Sequence, residues 1–554
     1  MNAECPHSYY PRPTMVRNSF FSLNGSWDFS IGNSDKGEEY GEKILVPFPP
    51  ESTLSGIGRR VSKKDYLHYR RTFTLPEGFI NGRVILHFGA IDGEGEVFIG
   101  DTSVGYFSPS PLPRSFDITD ALKDGENTVS LTVRDSQDRR YPYGKQKDKR
   151  GGMWYTPHSG IWQAVWLESV PLEYIERIKI TPSTKGALIE VTAGEGKKTL
   201  TLESGEVYGF EGNSIFVNPE KIRLWSPEDP YLYRFTLQYK DDEIKSYFAL
   251  REVGTGITDG KPHLTLNGKP YLFNGLLDQG YYSDGIILPA TEEAYLDDIR
   301  LAKSLGFNML RKHIKIEPEI FYYYADREGI AVFQDMVNNG GYSFFRDTVL
   351  PTVGLQKIPD FLIPRSKMTK ENFKENMLAT VELLFNHPSI VYYTVFNEGW
   401  GQFSADKMYE LIKSKDKTRI IDTTSGWFRQ KKSDVDSRHI YFRRLAVKKP
   451  DGRPVVISEF GGYSYRIPGH LATDKNYGYR LLETRDEFEN AFFELYENEV
   501  VPLARLGASA FVYTQLSDVE DETNGLITYD RECVKLDAEK TKSLMSRLYK
   551  EFLS

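Results

Sequence analysis

Near residue 255 the hydrophobic rhythm of this chain changes. Before that point, short runs alternate apolar and polar residues and are parted by turn residues, the period-2 pattern of half-buried strands. Beyond it, strand-like runs alternate with longer segments of 3.6-residue period, the pattern of βα units around a parallel sheet. No single core accommodates both rhythms. At 554 residues the chain also exceeds one ordinary core, and about three domains of roughly 100–250 residues are expected.

From about residue 20 to 170 the runs GSWDFSIG, YRRTFTLP, RVILHFGAI, GEVFIG, NTVSLTVRD and GIWQAVWLE predict an all-β sandwich. In NTVSLTVRD, Val129, Leu131 and Val133 alternate with polar neighbours behind the turn pair Asp124-Gly125, as a strand buried on one face requires. From about 172 to 253, ERIKITPS, ALIEVTAG, KTLTLES and YRFTLQYK predict a second, immunoglobulin-like sandwich, interrupted by the Pro-rich LWSPEDPYLY. The expected domains are 1–171, 172–254 and 255–554, the first two joined through VPLEY, where a proline limits continuation of the last strand.

Eight strands can be counted in the third domain: YLFNGLL, NMLRKH, AVFQDM, SIVYYTVFNEGW, RIIDTTSG, RHIYF, PVVISEFGG and SAFVYTQL. One helix is expected after Thr291, with Glu292 and Glu293 in its first turn, Leu296, Ile299 and Leu305 facing inward and Gly306 as its stop. Others are expected over EIFYYYADREG, over TKENFKENMLATVELLFNHP with Phe373, Met377, Val381 and Leu384 on one stripe, and over ADKMYELIKSK. Between strands six and seven RRLAVKKPDGR is short and basic and shows no helix pattern, so the sixth unit is expected to be irregular. Eight strands is the number a closed (β/α)8 barrel requires.

In such a barrel Glu398, in TVFNEGW, ends strand four, and Glu459, in VISEFGG, ends strand seven. The C-terminal strand ends carry the chemistry of this architecture, so two carboxylates 61 positions apart (459 − 398) should face one another across one mouth. Paired carboxylates suit cleavage of a glycosidic bond: one protonates the leaving oxygen while the other attacks or stabilises the oxocarbenium-like carbon. Sequence spacing leaves retention, at about 5–5.5 Å, and inversion, at about 6.5–9.5 Å, both open. The glycines after each glutamate are expected to clear space for the sugar.

The net charge is −8 and the basic residues are scattered among acids, so a nucleic-acid partner is not expected. The two cysteines, Cys5 and Cys533, lie near opposite ends and suggest neither a disulfide framework nor a cysteine metal cluster; a reducing compartment fits. The segment MNAECPHSYYPRPTMV lacks a basic start and apolar h-region, and no run of about 20 apolar residues occurs. No membrane association and a cytoplasmic location are therefore expected. Aromatic residues, at 14%, suit surfaces on which sugar rings stack.

TVFNEGW and VISEFGG, with SGIWQAVWLE and NGKPYLFNG, resemble glycoside hydrolase family 2, the β-galactosidase, β-glucuronidase and β-mannosidase group, over essentially the whole chain. The resemblance implies a jelly-roll sugar-binding domain, an immunoglobulin-like sandwich and a catalytic barrel, in that order. It implies that Glu398 is the general acid/base and Glu459 the nucleophile of a retaining double displacement, that Asn397 hydrogen-bonds the sugar 2-OH, and that Arg311 and Tyr441 hold the nucleophile, with Phe442 a competing claimant beside Tyr441. No cofactor is implied. Family members often form homo-oligomers, although no helix face here requires it.

Two departures from the family bear on specificity. Family β-glucuronidases carry an Asn-x-Lys pair in the last barrel loop; in DETNGLITYDR, Glu522 and Asn524 stand there, so an anionic sugar would meet an acid unless Lys431 or Lys432 substitutes. Metal-dependent β-galactosidases place a Glu and a His after strand three and a His-Glu stretch after strand one, whereas VNNGGY and LLDQGYY lack those ligands; no magnesium is expected at the catalytic acid. Asp278 and Gln279 are candidates for sugar hydroxyl contacts or for loop capping, and Trp400 and Trp427 for stacking on a sugar or for packing under a loop. His313 is the expected histidine contact to substrate, with His439 also placed to line the mouth. The basic, aromatic loop DRRYPYGKQKDKRGG at 138–152 is expected to be solvated, in preference to reaching the mouth. The expected activity is that of a retaining exo-glycosidase on a neutral, terminal β-linked sugar such as galactose. The alternatives are β-glucuronidase or arabinosidase-type specificity, or a catalytically inactive carbohydrate-binding protein.

Overall fold

The structure, a computed structural model, describes residues 5–35, 39–352, 355, 358–447 and 450–554. In the N-terminal region a six-stranded and a four-stranded antiparallel sheet face one another. Trp27, Leu67, Tyr69 and Leu131 of the first pack with Leu86 and Leu167 of the second. Val129, Leu131 and Val133 all point into this core, as their alternation predicts. A second sandwich, of three and four antiparallel strands, closes over Ile178, Ile189, Leu200, Leu237 and Ile244.

The barrel strands are β1 (Phe273–Asp278), β2 (Met309–Lys312), β3 (Ala331–Asp335), β4 (Ile390–Asn397), β5 (Ile420–Ser425), β6 (Asp436–Ile440), β7 (Val455–Gly461) and β8 (Ala510–Thr514). They pair in parallel in the order β5-β4-β3-β2-β1-β8-β7-β6. The hairpin Val253–Thr258 and Lys261–Leu266 sends Val253, Leu264 and Leu266 against Phe273, Met309, Phe333 and Val512 at the barrel's interior. Each such fully buried aliphatic or aromatic side chain contributes roughly 1.5–3 kcal/mol relative to exposure. Helices α1 (Glu293–Ser304), α2 (Glu319–Glu328), α3 (Lys367–Leu384), α4 (Ala405–Lys415), α5 (Arg485–Leu495) and α6 (Ala538–Glu551) surround it.

Phe373, Met377, Val381 and Leu384 are all buried on α3, whereas on α1 Tyr295 and Asp298 join Ile299 inward and Leu296 is half-buried. Gly306 ends the first βα unit in the left-handed region, at φ +90°, where a side chain would be strained. The missing sixth helix is joined by a second absence: residues 426–435, between β5 and β6, carry none. Between β6 and β7 the described residues form no helix; Lys448 and Lys449 of RRLAVKKPDGR lie outside them. Both gaps fall beside the seam where β5 and β6 form no ladder. There the edge of β5 is taken by the returning loop: Asp434 N donates to Ile421 O (2.9 Å) and Ile421 N to Asp434 Oδ2 (2.8 Å). Among the described residues no helix is long and apolar enough to cross a membrane.

Candidate active site

Arg311 organises the floor of the barrel mouth. It is fully buried and its fork reaches three other strands. Nε donates to Asp335 Oδ1 on β3 (3.0 Å), Nη2 to Asn397 Oδ1 on β4 (2.8 Å), and Nη1 to Ser458 O (2.9 Å) and Glu459 Oε1 (3.1 Å) on β7. A guanidinium only donates, so it orients the Asn397 amide with oxygen inward and leaves Nδ2 as the donor. Burial alone would raise Asp335, but Arg311 and His313 outweigh it and hold the carboxyl below its ordinary range.

The second oxygen of Glu459 accepts from Tyr441 Oη (2.8 Å), which also lies 2.8 Å from Thr514 Oγ1. The ladders on both sides of β7 slip in register around Ser458 and Glu459, the kind of irregularity that re-aims a strand-end side chain. Two residues before Tyr441, and so on the same face of the chain, His439 joins the two glutamates. Its Nδ1 lies 2.9 Å from Glu398 Oε1 and 3.4 Å from Glu459 Oε2, and its Nε2 3.0 Å from Ser425 Oγ. Burial pushes His439 down to about 4, so the ring is neutral at physiological pH. One oxygen of each glutamate and the His439 nitrogen lie within 4.8 Å of one another.

Glu398 follows β4 in a left-handed turn, with φ +51°, +74° and +69° at Glu398, Gly399 and Gly401. Burial pushes its carboxyl up to about 8, against the pull of Lys145 and Arg311. Burial raises Glu459 too, opposed by His439, Arg311 and Tyr441. Because Arg311 and Tyr441 donate to Glu459 and not to Glu398, a single proton shared by the pair rests on Glu398. Gly399, Gly461 and Gly462 make room for aromatic rings. A methyl group at Gly399 would lie 2.1 Å from the Phe428 ring, at Gly461 2.3 Å from Tyr513 and at Gly462 2.2 Å from Tyr479.

Residues 257–542 match the family described as "Glycosyl hydrolases family 2, TIM barrel domain", residues 58–171 its sugar binding domain and residues 174–251 the remaining family 2 domain. The chain belongs to glycosyl hydrolase family 2. Among its family 2 relatives, a β-galactosidase of Aeromonas hydrophila subsp. hydrophila is 28% identical over 398 residues, covering 65% of this chain and 36% of that protein. A β-galactosidase of Priestia megaterium is 25% identical over 495 residues, covering 81% of this chain and 44% of that protein. The chain thus spans less than half the length of these curated relatives. A solved β-D-glucuronidase from Dictyoglomus thermophilum has the same fold, with TM-score 0.74, 18% identity and coverage of 97% and 98% of the two chains.

In this family 2 barrel the other sequence candidates are placed as follows. Asp278, 2% exposed, accepts from Lys312 Nζ (2.6 Å) and Gly280 N (2.8 Å), so both its oxygens are engaged within the protein. Gln279 Nε2 donates to Gln515 Oε1 (2.9 Å), while Gln279 Oε1 is buried with no partner among the described residues. His313 is held by Asp335 Oδ2 at 2.7 Å, and burial pushes it down to about 3; the histidine between the carboxylates is His439. Trp400 is stacked on Trp154 (5.4 Å, 22°) and is 2% exposed, which is loop packing. Trp427 is half-buried, its ring 5.9 Å from His439. Tyr441 turns toward Glu459 and Phe442 outward, at 78% exposure. Lys432 pairs with Glu410 on the outer surface of α4.

The loop at 138–152 keeps Arg139, Arg140, Asp148, Lys149 and Arg150 exposed, but its middle is buried against the loops after β3 and β8. Tyr143 N donates to Asn338 O (3.1 Å) and its hydroxyl to Gly340 O (2.9 Å), while Arg150 Nη1 donates to Glu520 Oε2 (3.1 Å). These partners lie about 200 to 370 positions away in the sequence, so local composition carries no sign of them. Among the described residues two side-chain sets could geometrically hold a metal ion, Glu398 with His439 and Glu459, and His470 with Asp530 and Glu532.

Proposed function

We propose that the chain is a retaining exo-β-glycosidase whose catalytic domain is the barrel at 255–554, behind sandwich domains at 1–171 and 172–254. The observation that carries this reading is the approach of the two carboxyls, with oxygens within 4.8 Å. That near approach of one oxygen from each supports attack by a carboxylate, at a separation of about 5–5.5 Å, over inversion, which seats a water between groups about 6.5–9.5 Å apart. Glu459, ionised beside Arg311 and Tyr441, attacks the anomeric carbon while Glu398 transfers its proton to the departing oxygen. In the second half-reaction Glu398, now ionised, takes a proton from water, the water oxygen attacks the same carbon, and Glu459 leaves. Asn397 Nδ2, oriented by Arg311, donates to the sugar 2-OH oxygen.

A neutral, galactose-like sugar is the substrate favoured by the two β-galactosidase relatives and by Glu522 in the last barrel loop. NMR of the first product from 4-nitrophenyl β-D-galactopyranoside should show the β anomer. Glu459→Gly should lose turnover and regain it, with azide, as an α-glycosyl azide. Initial release of the α anomer, or binding of galactose without turnover of any glycoside, would sink the reading.

A further inference from the structure

We propose that His439 is a positioning residue for the acid step: held in the tautomer that carries its proton on Nδ1, it occupies Glu398 Oε1 and leaves Oε2 as the oxygen that protonates the departing group. This deepens the glycosidase reading and rests on it.

Three residues close a cycle beneath the acid. Glu398 Oε1 meets His439 Nδ1 at 2.9 Å, His439 Nε2 meets Ser425 Oγ at 3.0 Å, and Ser425 O accepts from Glu398 N at 3.0 Å. Ser425 is the last residue of β5, so one residue holds both the backbone of the acid and the far nitrogen of the imidazole. The imidazole plane is fixed as well. Gly426, at φ +83°, lies so close that a Cβ there would stand 2.5 Å from His439 Cγ. The His439 side chain has no exposure.

The buried ring is neutral, and a neutral imidazole has one N–H whose place its surroundings decide. Nδ1 also lies 3.4 Å from Glu459 Oε2, an oxygen of the ionised nucleophile. A lone pair turned to that anion would be repelled, whereas an N–H is attracted. On the other side Ser425 Oγ is nearer to Nε2 than to Ser437 Oγ, at 3.0 against 3.3 Å, and its hydroxyl proton supplies the bond that Nε2 accepts. With Nδ1–H donating to Oε1, the acid proton belongs on Oε2. Among the described residues nothing else hydrogen-bonds the Glu398 carboxyl, and that side chain keeps 12% exposure. After the aglycone leaves, the same N–H stabilises the new carboxylate, and Oε2 takes the proton of the attacking water. His439 itself neither gains nor loses a proton. The opposite tautomer would turn a lone pair to Oε1 and draw the acid proton there, away from the substrate.

The test compares kcat/KM, which reports formation of the glycosyl-enzyme, for 2,4-dinitrophenyl and phenyl β-D-galactopyranoside in the wild-type chain, His439→Leu and His439→Asn. Dinitrophenolate leaves with little help from an acid, whereas phenolate needs the proton. His439→Asn returns an amide N–H to the Nδ1 position; His439→Leu fills the space without a donor. His439→Leu should lower kcat/KM about a hundredfold on the phenyl glycoside and about fivefold or less on the dinitrophenyl glycoside, and His439→Asn should recover most of the loss. Equal losses on both substrates, or no recovery in His439→Asn, overturn the positioning role, because a merely structural role moves both alike. NMR of the wild-type chain labelled with 15N-histidine reads the tautomer without turnover, the His439 signal being the one lost in either variant. A proton on Nε2 overturns the positioning role. A proton on Nδ1 in a chain that hydrolyses no glycoside overturns the glycosidase reading and the positioning role with it, while the tautomer stands.

Discussion

At the floor of the mouth every polar side chain leaves a barrel strand or its first residue beyond: Arg311 from β2, Asp335 from β3, Asn397 and Glu398 from β4, His439 and Tyr441 from β6, and Glu459 from β7. At the rim, Lys145 and Tyr155 come from a sandwich loop and Glu522 from the loop after β8. Charge is handled differently in the two places. On the floor Arg311 touches Asp335 and Glu459 directly; at the rim a tyrosine hydroxyl keeps Lys145 and Glu522 apart. A direct buried pair fixes one geometry for chemistry, whereas a separated pair leaves hydrogen-bonding capacity unspent.

Arg311→Met tests the floor hardest. It removes the anchors of Glu459 and Asn397 and leaves Asp335 buried without its cation. Stability should fall by roughly 3–5 kcal/mol, and kcat/KM in the folded fraction by about a thousandfold or more. Denaturant melts with steady-state kinetics measure both, and a near wild-type enzyme would remove Arg311 from the centre of the site.

The pH profile probes how far the rim reaches the floor. Glu398, with its carboxyl pushed up to about 8, holds its proton below that pH and loses it above, so the proposed acid catalysis should be present at neutral pH and kcat/KM should decline as pH rises through about 8. Lys145 favours the ionised form of Glu398, so Lys145→Met should move this basic limb upward. A limb unmoved by that change would separate rim from floor electrostatically. The smallest effect is expected for Arg150→Ala. Its side chain is 41% exposed while pairing with Glu520 and Asp521, so about 0–1 kcal/mol of stability and a few-fold rise in KM should follow.

Much of the floor was legible in the chain because strand ends advertise themselves. VISEFGG and TVFNEGW combine an apolar run with a terminal acid, and Arg311 closes a short apolar strand. His439 could have been chosen over His313 by the same logic, since it lies two positions from Tyr441 and shares its face. The missing helix after β5 had a fainter signal, in a stretch whose Ser433 and Asp434 side chains bond back to the β5 backbone. The rings packed on the glycines beside the two glutamates, Phe428, Tyr513 and Tyr479, were not legible because they lie far along the chain or on another strand.

The order of two sandwiches and a barrel, the eight strands and the two facing glutamates follow from local periodicity and residue type, which act over a few residues and can be read there. The proton's place on Glu398, the His439 bridge and the seating of loop 138–152 were decided by tertiary structure. Desolvation and hydrogen bonding depend on what surrounds a group in space, and those neighbours arrive from strands and domains tens to hundreds of residues away.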